Sequence, residues 1–180
     1  MKEITRIFEF DCAHRVMNER VKCFNLHGHR FRAEITFEYF SEKEIGYTID
    51  FKEIKRVIGA FIDTYLDHAC LLNPKDIELI DLCRKNGWRL WLMGFGSDED
   101  INPSAERIAQ ELYTLSSVFF SMAFHGIHAR KVRLYETPNC YVEITHEALE
   151  LSGEELSKWI LWRKALGDVE YDARCVKDAD

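Results

Sequence analysis

The feature that most restricts the fold of this chain is the alternation in residues 27–39, HGHRFRAEITFEY. A side-chain period of two is that of a β-strand, and one apolar parity beside one polar parity is typical of an antiparallel strand buried on one face. The apolar parity holds His27, His29, Phe31, Ala33, Ile35, Phe37 and Tyr39. The chain must therefore build a sheet with one covered face, and two histidines belong to that face.

The remaining periodicities predict the other elements. Strands are expected over residues 4–14, 88–95, 131–136 and 140–144, and helices from Asp50 to about Tyr65, over 75–87, from Pro103 at N1, and from Ser152 to Gly167. Strands grouped around two long helices predict an α+β fold. We expect an antiparallel sheet with two long helices packed on one face, plus a C-terminal helix.

Composition excludes several classes of protein. The chain has 180 residues and a net charge of −7, which fits one globular domain and argues against a nucleic-acid surface. No apolar run approaches the ~20 residues of a membrane span, so we expect no membrane partner. The N-terminus lacks the apolar region of a signal peptide, and the six cysteines form no C-x-x-C pair. We therefore expect a cytoplasmic protein with free thiols.

The two histidines of the alternating strand predict a metal site. Residues i and i+2 of a strand point to the same side, roughly 6–7 Å apart, so His27 and His29 can reach one ion across Gly28. His14 ends the preceding strand in the same phase as its apolar face. If the two strands pair antiparallel, the three imidazoles converge. Three histidines with one open position are typical of catalytic zinc.

Cys23 lies four residues before His27 and allows three interpretations. As a fourth ligand it would close the zinc site and make the site structural. As a free thiol beside a cation it would have a lowered pKa and could act as a base. It could also be a small buried apolar residue.

Three further residues suggest acid–base or ligand-binding roles. Asp67 and His68 are adjacent at a predicted helix end, where they would form either a proton shuttle or a helix cap. Glu136 shares the inward phase of its strand, so it would bind a ligand edge with two parallel N–H donors or form an internal salt bridge.

Basic residues concentrate near the histidines. Residues 12–32 hold five basic side chains and one acidic one: Arg15, Arg20, Lys22, Arg30 and Arg32 against Glu19. The segment is either a solvated surface or a funnel for an anionic substrate.

Six motifs in order resemble the 6-pyruvoyltetrahydropterin synthase family, and within it the bacterial 6-carboxytetrahydropterin synthases of the queuosine pathway. They are F-x-F-x-x-A-H-R at 8–15, C-x-x-x-H-G-H at 23–29, G-x-x-x-D-F at 46–51, L-D-H at 66–68, N-P-S-A-E at 102–106 and Y-E-T at 135–137. The resemblance divides the chain into a tunnelling-fold domain, residues 1–147, and a helical extension of the same domain, residues 148–180.

The resemblance also implies roles for single residues. His14, His27 and His29 would hold Zn²⁺, and Cys23 would be the catalytic thiol. Asp67 and His68 would be a second proton relay supplied by a neighbouring subunit of a trimer or hexamer. Glu136 would anchor the pterin ring. Glu106 and Ser104, which stands where threonine is usual, would lie near that pocket.

The implied reaction converts 7,8-dihydroneopterin triphosphate into 6-carboxytetrahydropterin, with loss of acetaldehyde and triphosphate. Three residues separate Cys23 from His27, and this spacing resembles the carboxy-forming branch. A spacing of five residues would resemble the pyruvoyl-forming branch. The pyruvoyl reaction and a non-catalytic zinc module remain alternatives. Residues 75–101 are longer than the compact bacterial pattern, and the helix from Ser152 has no counterpart in it.

Overall fold

A computed structural model describes residues 2–94, 100–124, 126–149 and 152–166. The strands are β1 (Lys2–His14), β2 (His27–Tyr39), β3 (Cys70–Leu72), β4 (Leu90–Leu92), β5 (Ile127–Thr137) and β6 (Cys140–Thr145). The helices are α1, which is α-helical over Phe51–Ile54 and π-helical over Lys55–Gly59 and Ile62–Leu66, then α2 (Ile77–Asn86), α3 (Ala105–Ala123) and α4 (Gly153–Leu166). The predicted tail after Gly167 lies outside the described residues.

The strands form one mixed sheet in the order β4-β3-β1-β2-β5-β6. Strands β1, β2, β5 and β6 are antiparallel, as predicted. The predicted strand over 88–95 is present as the shorter β4, whereas β3 was not predicted; β3 pairs in parallel with both β1 and β4. The three residues of β3 carry too little alternation to distinguish a strand from a loop. The pairing of β1 with β2 sets His14 directly opposite His27.

The core lies between one side of this sheet and the helices α1 and α3. Side chains of one parity in β1 and β2 are buried there, among them Phe10, Phe31 and Ile35. We call this the helix-facing side. The other side carries Asp11 and Arg30 and is the polar face of the sheet. The three histidines lie at the end of the helix-facing side, where the core meets solvent.

The start of α3 differs from its prediction in a way that matters for the histidines. Ser104 is the N-cap, so Pro103 lies before the helix and not at N1. The Pro103 carbonyl is therefore outside the helical hydrogen-bond ladder, and it accepts a hydrogen bond from His14. Asp50 caps α1 by accepting a hydrogen bond from the Lys52 amide, so the helix starts where its prediction placed it.

The C-terminal helix α4 is docked by a buried charge. Arg163 is fully buried, donates to the Leu92 carbonyl and pairs with Glu111 of α3 at 3.0 Å. Its guanidinium lies 3.6 Å from the ring centroid of Trp91 in β4. Helix α4 begins at a capping box in which Ser152 and Glu155 bind each other's backbone amides, at the predicted start of the helix. Among the helices of the described ranges, none is long and apolar enough to cross a membrane.

Candidate metal centre

The three histidines predicted as metal ligands form one cluster. One ring nitrogen of His14, of His27 and of His29 lies within 4.8 Å of the other two. The ring centroids of His14 and His27 are 4.5 Å apart, and those of His27 and His29 are 5.0 Å apart. The antiparallel pairing of β1 with β2 produces this convergence. It sets His14 opposite His27, and His29, two residues further along β2, points to the same side of the sheet.

Hydrogen bonds orient two of the imidazoles toward a common centre. His14 donates from Nδ1 to the Pro103 carbonyl, and His27 donates from Nδ1 to the Asn25 carbonyl, each at 2.7 Å. In a neutral ring the remaining Nε2 then carries a lone pair. The Nε2 of His14 is buried and has no hydrogen-bond partner in the part of the chain that the structure describes. A bound cation would satisfy this atom, and backbone carbonyls are common outer partners of metal-binding histidines.

Burial favours the neutral form of His14. Burial lowers the pKa of His14 below the ordinary histidine value, and the nearby His27 lowers that pKa further. The hydrogen bond to Pro103 acts in the opposite direction but does not reverse the shift. A neutral imidazole is the form that binds a metal.

Glu136 points inward from β5, as its phase predicted. Its Oε1 lies 3.6 Å from Nε2 of His14 and 3.9 Å from Nε2 of His29. Among the described residues, Glu136 pairs with no arginine or lysine. The internal salt bridge given as its alternative role could form only with these two histidines, in their protonated form. With a side chain 30% exposed, the carboxylate borders the cluster and remains open to a ligand.

Cys23 lies in residues 15–26, which join His14 to His27 and which we call the thiol loop. The Cys23 side chain is half-buried, and its carbonyl accepts from the Val16 amide at 2.8 Å. Its sulfur does not belong to the cluster of mutually close ligand atoms found among the described residues. The arrangement therefore favours three ligands and an open position over a closed structural site.

Asp67 and His68 form a hydrogen-bonded pair at the edge of β1. Nδ1 of His68 donates to Asp67 at 2.8 Å, while the other oxygen of Asp67 accepts from the Asp11 amide at 2.8 Å. His68 has φ +58°, the only positive value among the described non-glycine residues, and its side chain is 75% exposed. The pair is fixed at its carboxylate end, and its outer imidazole nitrogen faces solvent.

Among the described residues, no hydrogen bond or ion pair joins the Asp67–His68 pair to the histidine cluster. His68 lies beside Asp11 and Arg30 of the polar face, and the shallow surface cavity that they line also includes His29 of the cluster. The cluster lies on the helix-facing side. Within one chain, the structure thus brings together the side chains of His14, His27, His29 and Glu136. The hydrogen bond and ion pair of His68 are instead with Asp67.

Ser104 and Glu106 flank the cluster at the N-terminus of α3. Ser104 follows Pro103, whose carbonyl holds His14, but the Ser104 side chain makes no capping hydrogen bond. Glu106 is exposed in the first turn. Among the described residues, no hydrogen bond or ion pair joins either side chain to the histidines.

Ion pairs occupy three of the five basic side chains that were predicted to form a funnel for an anion. Arg15 pairs with Asp76, Arg30 with Asp11 and Arg32 with Glu34. Arg20 and Lys22 are exposed in the thiol loop and hold no ion pair with the part of the chain described here. They are the basic side chains of this segment that remain available to an anion.

Sequence reasoning missed the partners that orient the site. Asn25 lies two residues from His27, and a local side-chain to backbone bond could have been anticipated. Pro103 and Asp11 are distant in sequence from the residues they bind, so no local signal identifies them. The pairing of Asp76 with Arg15 was not predicted, because nothing in the sequence distinguishes Arg15 from the other basic residues of its segment.

Comparison with known sequences places this arrangement among pterin enzymes. The sequence profile of the family described as 6-pyruvoyl tetrahydropterin synthase matches residues 3–147. A 6-carboxy-5,6,7,8-tetrahydropterin synthase of Rickettsia felis is 36% identical over 149 residues, covering 80% of this chain and 100% of the relative. A protein of the same name from Haemophilus influenzae is 26% identical, covering 79% and 98%.

Solved structures share the fold. An uncharacterised protein of Wolinella succinogenes superposes with a TM-score of 0.63 at 21% identity, covering 80% of this chain and 97% of that one. The 6-pyruvoyl tetrahydropterin synthase of Caenorhabditis elegans superposes with a TM-score of 0.57 at 19% identity, covering 80% and 94%. These likenesses identify the α+β architecture as the tunnelling type.

Proposed function

Since the chain belongs to the 6-pyruvoyl tetrahydropterin synthase family, we propose that it is a zinc-dependent lyase that converts 7,8-dihydroneopterin triphosphate into 6-carboxy-5,6,7,8-tetrahydropterin. Acetaldehyde and triphosphate are the other products, and the reaction is a step toward queuosine. The observation that carries the proposal is the cluster of three imidazoles, one of which has a buried, unpartnered Nε2.

The cluster fits zinc in ligand type and number. His14, His27 and His29 would hold the ion and leave a position open for substrate. Bound there, zinc supplies a Lewis acid that acidifies the hydroxyls of the substrate side chain and the adjacent C–H. The carbonyls of Pro103 and Asn25 fix two of the ligands in the required tautomer.

Proton transfer is assigned to two groups of the chain. Cys23, in the loop that joins two of the ligands, takes a proton from the side chain of the substrate. His68 gives or accepts a second proton at its outer nitrogen, because Asp67 holds the inner one. Glu136 accepts two N–H donors of the pterin ring beside the metal ligands, and Ser104 and Glu106 border that pocket.

Assembly would bring the two proton-transfer groups together. The exposed Asp67–His68 pair would serve the histidine cluster of a neighbouring subunit in a trimer or hexamer. The open edge of β1 supports this proposal, since its side facing β3 is paired only at Ala13 and His14 within the described chain. An unpaired edge of this length is a template for strand pairing with another copy.

The carboxy product is supported by two observations. Three residues separate Cys23 from His27, and the relatives named above are called 6-carboxytetrahydropterin synthases. The alternative is the pyruvoyl reaction, named in the family description. We place the enzyme in the cytoplasm, since the described cysteines are unpaired thiols.

The test is anaerobic incubation with 7,8-dihydroneopterin triphosphate, mass spectrometry of the pterin, and trapping of acetaldehyde. We expect 6-carboxytetrahydropterin and stoichiometric acetaldehyde, both lost after chelation and restored by zinc. An intact three-carbon side chain without acetaldehyde would show the pyruvoyl reaction instead. No turnover by the zinc-loaded protein would favour a non-catalytic zinc module.

A further inference from the structure

A buried carboxylate that the proposed mechanism does not use lies close to the site. Asp76 is 1% exposed and follows β3, within the stretch that is longer than the compact bacterial pattern. It accepts from Nε and Nη2 of Arg15 at 2.7 and 2.6 Å, a two-pronged pair. It also caps α2 at the Leu79 amide. Such a fork fixes the guanidinium in one orientation.

Arg15 connects this carboxylate to the thiol loop. It follows His14 in sequence, and its guanidinium carbon lies 5.3 Å from the ring centroid of Phe24. Phe24 follows Cys23 in sequence. The Cys23 carbonyl accepts a hydrogen bond from the amide of Val16, the residue after Arg15. The guanidinium therefore lies where it restrains the segment that carries the thiol.

A second contact ties the same turn to the same loop. Asn73 is fully buried and donates to the side-chain oxygen of Asn102 at 3.1 Å. That oxygen also accepts from the Met17 amide at 2.9 Å. The turn of residues 73–76 thus holds the thiol loop near its start, at Met17, and near Cys23, through Arg15.

We propose that Asp76 is a positioning residue: through Arg15 it holds the thiol loop so that the Cys23 sulfur stands beside the three-histidine cluster. Its effect on turnover rests on the proposed function, whereas its effect on the reactivity of Cys23 does not. Loss of the fork would release Phe24 and expose Cys23, while the three ligands, held by Pro103, Asn25 and the strand pairing, would keep the metal.

The experiment compares Asp76→Asn with wild type in the zinc-loaded protein, because asparagine keeps the shape and an oxygen for the α2 cap. Iodoacetamide labelling of single cysteines is followed by peptide mass spectrometry. We expect the Cys23 rate to rise at least about fivefold through local opening. The exposed Cys140 is the reference for intrinsic reactivity, and the buried Cys12 reports global unfolding.

Turnover supplies a second readout. We expect kcat to fall on the order of 10²-fold at unchanged KM and full zinc content, as for a misplaced reacting group. Arg15→Lys keeps the charge and the α2 cap but loses the fork. It should therefore raise the Cys23 labelling rate and lower kcat, as Asp76→Asn does. Glu78→Gln is the matched control: its carboxylate lies 3.8 Å from Arg15 but is 84% exposed, and both readouts should stay at wild-type values.

Two results would overturn the proposal. One is a wild-type Cys23 labelling rate in folded Asp76→Asn and Arg15→Lys. The other is an equal rise at Cys12, which would show that Asp76 only stabilises the fold. If wild type itself fails to turn over the pterin, the proposed function is wrong, but the labelling comparison still decides the role of Asp76.

Discussion

The histidine cluster and the Asp67–His68 pair are both fixed by hydrogen bonds, but they differ in what they face. The cluster lies at the end of the covered side of the sheet, and His14 is buried there. The pair lies at the edge of β1, where His68 is largely exposed. One chain therefore brings all three candidate metal ligands together, whereas the candidate relay residue His68 ends at solvent.

The difference has a physical origin in the strand pairing. Strands β1 and β2 are neighbours in one hairpin, so their register alone brings three histidines together. Asp67 instead accepts a hydrogen bond from the Asp11 amide of β1, and its partner His68 extends toward solvent. This difference is the basis of the proposal that the relay of one chain serves the cluster of another.

The largest expected effect is that of removing one proposed metal ligand from the cluster. His29→Ala removes a ligand, so we expect at least about tenfold weaker zinc binding and the loss of most activity. Metal competition titration and turnover measure the two effects. His128→Ala, an exposed histidine on β5, is the matched control. Stoichiometric zinc retained tightly by His14→Ala would contradict the ligand assignment.

Cys23→Ala distinguishes a reacting thiol from a fourth ligand. Because the sulfur lies outside the cluster, we expect full zinc content and a fall in turnover on the order of 10²-fold. Cys140→Ala, an exposed thiol on β6, should behave as wild type. Loss of zinc together with activity would make Cys23 a ligand and support the structural module.

Glu136→Gln tests whether the open side of the cluster receives the pterin. The amide replaces one acceptor with a donor and leaves one N–H of the ligand unpaired. We expect pterin binding weaker by about 1–3 kcal/mol, measured by calorimetry on the zinc-loaded protein. Glu143→Gln, a β6 carboxylate paired with Arg133, is the control. Unchanged affinity in Glu136→Gln would remove the anchor role.

The smallest expected effect concerns the polar face near the relay. The hydrogen bond from Arg30 lowers the pKa of Asp11 below its usual value. A carboxylate with a depressed folded pKa stabilises the fold above its unfolded pKa and loses that effect as the pH falls through the folded value. Arg30→Gln should thus lower the melting temperature slightly near neutral pH and not in acid. Because the pair is exposed, salt should reduce the difference. A difference that grows in acid would contradict this sign.

The sequence predicted those parts of the fold that carry a long periodic signal. The bounds of β2 and the phase of His14, His27, His29 and Glu136 followed from alternation, and the structure confirms them. The start of α3 was placed at Pro103 because proline favours N1, but Ser104 is the cap. That error concealed the carbonyl that orients His14.

The remaining site features depend on long-range contacts. Nothing local to Asp76 signals Arg15, and nothing local to Asp67 signals the Asp11 backbone, so sequence patterns could not predict either bond. The roles of Cys23, Ser104 and Glu106 and the division into residues 1–147 and 148–180 stay predictions. Helix α4 nevertheless packs on α3 through Arg163 and Trp159.

Subunit complementation tests the central claim most directly. His29→Ala lacks a ligand and His68→Ala lacks the relay, so each should be inactive alone. Co-expressed, they should form mixed oligomers, seen by native mass spectrometry, with about one quarter of wild-type activity, because half of the clusters and half of the neighbouring relays are intact. Mixed oligomers without activity would contradict the account and show that the cluster and relay of one chain act together.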